Sequence, residues 1–138
     1  MTDYFNATIE EQERAVRDSY EIINGDILCC NRLSNPTPHQ VQYSIQYAAT
    51  LAREHTLRKY MVNAENTAPP TAENRQKIRN EIEVVLSVFD AFVIIVGEGT
   101  ALKISAQFIF HNHKVSTDLP FKIVGTQAEA VAFFNQVA

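Results

Sequence analysis

Ala91-Phe92-Val93-Ile94-Ile95-Val96-Gly97-Glu98-Gly99 is the stretch on which the fold turns. Its six apolar residues run without a polar break. A strand with one wet face alternates apolar and polar side chains, whereas an unbroken run belongs to a strand covered on both faces, as in parallel α/β sheets. The two glycines around Glu98 mark the turn that ends it. Such a strand needs amphipathic helices beside it in the chain.

They are present on both sides. Upstream, a helix starting at Thr71 or Ala72 carries Ile78, Ile82, Val85, Leu86 and Phe89 along one side, with Arg75, Lys77, Arg79, Glu81 and Glu83 over much of the rest. Downstream, Thr100 is expected to cap a helix reaching about Phe110, with Leu102, Ala106, Phe108 and Ile109 apolar. Further out, residues 39–55 read as a helix with the stripe Val41, Ile45, Ala48, Ala52, widened by Tyr43, Tyr47 and Leu51. Residues 59–64 and 120–124 read as short strands, and a closing helix from Gln127 carries Ala130, Phe133, Phe134 and Val137.

At the amino end, residues 20–23 and 26–33 are β-prone runs around Asn24-Gly25, the dipeptide favoured by a type I′ turn, so an antiparallel hairpin is expected. Thr8-Ile9-Glu10-Glu11 has the form of a capping box ahead of a short helix over 10–16, with a strand-like segment as the alternative. Strand centres near Leu28, Val62, Ile94 and Ile123 recur at about 30 residues, the length of a strand–helix unit with a right-handed crossover. The expectation is an α/β fold. A mixed, mostly parallel central sheet of about five strands carries amphipathic helices, and the first hairpin strand is antiparallel. Residues 1–19 form an extension and 20–138 a single domain.

The 138 residues are 46% apolar and 20% charged, enough for a core without disulfides or metal. The net charge of −4 argues against nucleic acid as the main partner. No apolar run approaches the roughly 20 residues of a membrane span. The polar, acidic start is unlike a secretory signal, so a cytoplasmic protein is expected. Cys29 and Cys30 are adjacent on a strand, point to opposite faces, and read as buried thiols. No motif calls for a cofactor.

The order strand, strand, helix, strand, helix, strand, helix, strand, helix over residues 20–138 resembles the STAS domain family, the anti-sigma-factor antagonist fold. The hairpin Tyr20-Glu-Ile-Ile-Asn-Gly-Asp-Ile-Leu, the strand Lys59-Tyr-Met-Val-Asn-Ala and the closing Thr126-Gln-Ala-Glu-Ala-Val-Ala-Phe-Phe are similar to that family's layout. The resemblance implies a protein-binding switch with another protein as its regulatory partner. It puts the interaction or phosphorylation site after the central strand, at Glu65, Asn66, Thr67 and Thr71; the family's Asp and Gly are missing from that turn. The family also has lipid- or small-molecule-binding variants. That leaves a pocket between the sheet and helix 100–110 as the alternative, lined by Phe108, Phe110 and Phe134. Tyr43 and Tyr47, one helical turn apart, suit either the core or a homodimer contact.

Candidate chemistry is sparse. His111 and His113, with Asp118, have metal-ligand spacing, set against a plain reading as solvated histidines at a helix end. Gly97-Glu98-Gly99-Thr100 could hold an anion at a helix start, but Glu98 would repel phosphate and a plain turn is favoured. Glu65 and His39 are conceivable acid/base partners at a sheet edge, yet Ser44 and Ser105 are mid-helix and no nucleophile sits in an elbow, so no catalytic set is assigned. The reading favoured is a non-catalytic regulatory interaction module, with a small-molecule or lipid-binding domain second.

Overall fold

The computed structural model describes residues 4–112 and 119–137. In chain order the elements are α1 (Ile9–Asp18), β1 (Tyr20–Ile23), β2 (Ile27–Asn31), α2 (Pro38–His55), β3 (Lys59–Asn63), α3 (Ala72–Leu86), β4 (Ala91–Ile95), α4 (Thr100–Asn112), β5 (Phe121–Val124) and α5 (Gln127–Gln136). The strands form one sheet in sequential order, β1-β2-β3-β4-β5, with β1 antiparallel to β2 and every other pair parallel. The fold class expected from periodicity is therefore the one observed.

The hairpin turns where Asn24-Gly25 predicts. Both residues have positive φ, 54° and 77°, and the Asp26 N–H donates to the Ile23 carbonyl. The first ladder pair is Ile23 with Ile27, so Asp26 joins the loop and β2 ends at Asn31, earlier than the apolar run suggested. The helices start where side chains take up their free N–H groups. Thr8 with Glu11 and Thr37 with Gln40 form capping boxes, and Thr71 and Thr126 cap α3 and α5. Thr100 is not a cap. It is the first residue of α4, and the Gly99 carbonyl before it accepts from Lys103 N–H.

Sequential order dictates the layers. When each crossover has the same hand and leads to the next strand along, each connecting helix lands on the same face. Accordingly α2, α3 and α4 bury Ile45, Ala48, Ala52, Ile82, Val85, Leu102 and Ala106 with Leu28, Tyr60, Phe92 and Ile94. The opposite face carries Ile27, Cys29, Met61, Val93 and Ile95 under α5, which supplies Ala130 and Phe134. All five residues of β4 are buried, as the apolar run requires. The helix α1 lies against α2, where Thr37 Oγ1 donates to Gln12 Oε1 at 2.7 Å and Gln40 Nε2 to the Gln12 carbonyl at 3.1 Å.

The adjacent cysteines do face opposite sides, Cys30 toward α2 and Cys29 toward α5, and both are free thiols. Burial raises both; Cys29 is pushed up to about 12, with Glu21 nearby adding to the shift. A thiol whose folded pKa lies above its unfolded one favours the fold at neutral pH and loses that contribution as pH climbs between the two. Unfolding in urea should show stability level from pH 6 to 8 and falling from about pH 9 upward. At pH 8 neither thiol should react with a disulfide reagent until denaturant is added. Fast labelling of the native protein would contradict the burial of both.

Candidate functional site

Two rows of side chains cross the helix-covered face of the sheet. One is Leu28, Tyr60, Phe92 and Phe121; the other, nearer the carboxyl ends of the strands, is Cys30, Val62, Ile94 and Ile123. Helices α2 and α3 pack closely over them, whereas α3 and α4 touch only lightly. Beneath the three helices lies a cavity of about 140 Å³ with an almost wholly apolar lining. Its floor includes Cys30, Tyr60, Val62, Phe92 and Ile94, and its roof includes Ile45, Ile78, Ile82, Ala106 and Phe110. Val62 sits on the central strand yet is only half-buried, a sign that the gap reaches solvent.

A few polar groups converge on this space. The Tyr20 hydroxyl meets Ser44 Oγ at 2.8 Å, the Ser44 carbonyl at 2.9 Å and the Tyr60 hydroxyl at 3.1 Å. Burial pushes both phenols well above their usual range, so they remain neutral. At the carboxyl end, Arg32 lines the cavity beside Leu33, Pro36 and Pro70. It continues the alternation of Leu28 and Cys30 and so projects to the helix side. Its Nη1 donates to Thr67 Oγ1 at 2.7 Å and to the Ala68 carbonyl at 2.6 Å. Burial lowers the pKa of its guanidinium, and no carboxylate among the described residues pairs with it.

A second, more polar cleft of about 530 Å³ runs along the same sheet edge, lined by Glu65, Asn66, Thr67, Gly97, Glu98, Gly99 and Thr126. The loop 64–67 is a tight turn. Asn66 has φ of 61°, and the Ala64 carbonyl accepts from both the N–H and the hydroxyl of Thr67. Gly97 has φ of 64°, and a β-carbon there would lie 3.3 Å from Glu65 Cγ, so the turn needs glycine for its backbone angle and tolerates little bulk.

The residues singled out from sequence divide between these sites. Glu65, Asn66 and Thr67 line the edge cleft, while Thr71 stands exposed as the α3 cap, accepting from Asn74 N–H. Of the three pocket phenylalanines only Phe110 lines the apolar cavity. Phe108 is 51% exposed with the Arg79 guanidinium over its ring, and Phe134 is buried under the opposite face, because α5 follows the last strand and is not a crossover. His39 and Glu65 do not meet. His39 Nε2 lies 2.9 Å from Glu13 Oε2, an α1 contact that only tertiary packing creates. The edge turn is flanked by Glu65 and Glu98, a setting that disfavours phosphate. The side chain of His111 and all of His113 and Asp118 lie outside the described residues, and among those described no group of three or more potential metal ligands occurs. Tyr43 and Tyr47 stack at 5.9 Å, half-buried, with Arg17 donating to the Tyr43 hydroxyl and Tyr20 edge-on to Tyr47. Arg32 escaped the sequence reading, although its place two residues beyond Cys30 in the alternation carried the signal.

Among the described residues no helix is long and apolar enough to cross a membrane. No protein family, curated protein or solved structure matches the chain.

A guanidinium taken from water without a counter-charge costs stability, and an apolar side chain of similar length avoids that cost. Arg32→Met is therefore expected to change the unfolding free energy by less than about 1 kcal/mol, or to raise it, in urea titration. A loss of several kcal/mol would show that the arginine serves the fold.

Proposed function

We propose that this chain is a non-catalytic regulatory module that binds a small apolar molecule between its sheet and helices α2, α3 and α4, and presents the loop from Glu65 to Thr71 to a partner protein. The observation that carries this reading is the apolar cavity reaching solvent beside the half-buried Val62. Small-molecule sites are mostly apolar with a few polar groups at one end, which is the distribution found here. Arg32 belongs to both features, since it lines the cavity and holds Thr67 and Ala68 of the loop. Occupancy of the cavity and the shape of the loop are thus joined through one side chain. The regulatory part of the reading rests on the STAS-like order of elements along the chain, strand, strand, helix, strand, helix, strand, helix, strand, helix from Tyr20 onward. The acidic rim of Glu65 and Glu98 suits a basic surface on the partner.

The cavity is tested by filling it. Adding bulk to a tight core costs about 1–3 kcal/mol, whereas bulk placed in a void is accommodated. Millimolar 2-phenylethanol should stabilise the wild type, and Ala106→Leu on the cavity roof should leave the melting temperature unchanged or raised and abolish that stabilisation. Absence of any stabilisation of the wild type by this neutral probe and by apolar acids alike would contradict the ligand reading.

The loop is tested separately. In Thr67→Glu a carboxylate faces Arg32 Nη1, and in Thr71→Glu a charge is added to an exposed helix start. Both should weaken capture of a partner that the wild type retains. Equal recovery of the same proteins by all three would count against the loop as the contact surface.

A further inference from the structure

The arginines of this protein are not alike. Arg14, Arg17 and Arg58 each lie within 4 Å of a carboxylate oxygen, at 3.7, 3.4 and 2.8 Å. Arg14 and Arg58 are mostly in solvent, where the charge costs little without a partner. Arg32 is half-buried against Pro36 and Pro70, both buried, and has no such partner among the described residues. Of the other half-buried arginines, Arg75 donates to the Pro70 carbonyl and Arg79 lies over the Phe108 ring, and neither lines the apolar cavity as Arg32 does. Charges withdrawn from water are normally paired, so an anion bound at this side chain would offset the cost of its partial burial.

The geometry says which kind. Both bonds that Arg32 makes, to Thr67 Oγ1 and the Ala68 carbonyl, leave from Nη1. The Nε and Nη2 groups donate to no described residue. Their N–H bonds lie side by side on one edge of the planar guanidinium, the edge that receives both oxygens of a carboxylate. Among the described residues no Asp, Glu or Lys and no other Arg lines the cavity; the remaining titratable groups there, Cys30 and Tyr60, are held neutral by burial. One positive charge at the mouth of an apolar space whose other described lining is neutral matches a ligand with one negative charge.

The size of the cavity sets the rest. An engineered apolar cavity of about 150 Å³ holds benzene, and the space here is about 140 Å³. We propose that Arg32 anchors a small monocarboxylic acid whose apolar body is about the size of a benzene ring, with the carboxylate on the Nε and Nη2 edge and the body among Val62, Ile94 and Phe110. This rests on the ligand reading above and adds the ligand's charge and size.

Phenylacetate and 2-phenylethanol have nearly the same shape and differ in charge, so they separate the two ideas. Titration calorimetry of the full chain should show phenylacetate binding at least tenfold more tightly than 2-phenylethanol. In Arg32→Met the preference should vanish through loss of phenylacetate affinity, while 2-phenylethanol still binds. Equal affinity of the two probes for the wild type would overturn the anion site and leave the apolar cavity standing. No binding of either would overturn both. Because the wild-type comparison decides the matter alone, a poorly folding Arg32 variant leaves the inference open to refutation, and Arg32→Lys, which keeps the charge but loses the paired edge, should give an intermediate preference.

Discussion

A helix is about twice as wide as a strand, and much of this architecture follows from that mismatch. Neighbouring strands sit about 4.8 Å apart, while packed helix axes stand 8–10 Å apart. Four parallel strands in sequential order oblige three crossover helices to share one face. They cannot each stay above their own pair of strands. Here α2 and α3 pack closely, and α4 meets α3 only lightly. The space left over is the apolar cavity above Cys30, Val62 and Ile94. Among the described residues the opposite face has a single helix and no such conflict; Met61, Val93, Ile95, Ala130 and Phe134 are fully buried there.

The two ends of the sheet are treated differently. At the amino ends of β3 and β4, Lys59 pairs with Asp26 at 2.8 Å, and Arg58 binds both oxygens of Asp90. These are mostly exposed contacts of modest worth that tidy the turns. At the carboxyl ends Arg32, the cation that lines the cavity among the described residues, is left to a hydroxyl and a carbonyl. Deeper in, the hydroxyls of Tyr20 and Tyr60 and both oxygens of Ser44 form a connected set, so the polar atoms there satisfy one another. Polar groups at the mouth thus remain available while those within are already engaged. That separation suits recognition at the edge and apolar filling inside.

Much of the fold was legible because its signals are local and periodic. The unbroken run at Ala91, the stripe from Ile78 to Phe89, the Asn24-Gly25 turn and the capping box of Thr8 with Glu11 each depend on neighbours in sequence. The candidate site was legible only in part. Glu65, Asn66 and Thr67 were placed at an edge because they follow a strand, and they line its cleft. Phe134 was assigned to the wrong face, since a buried stripe says that a helix packs but not on which side. The Glu13 contact of His39 joins segments 26 residues apart and has no local signature. Arg32 was passed over as a strand end, although its parity with Leu28 and Cys30 puts it on the helix side.

The central feature of the fold is the void between the sheet and its three crossover helices. Diffraction from crystals pressurised with xenon measures it directly, because xenon enters dry apolar spaces of this size without needing a hydrogen bond. Xenon density over Val62 and Ile94, facing Phe110, is the result expected. Helix α4 found seated against α3, with the side chains of Ile78, Ala106 and Phe110 closing the space and no xenon bound there, would contradict it.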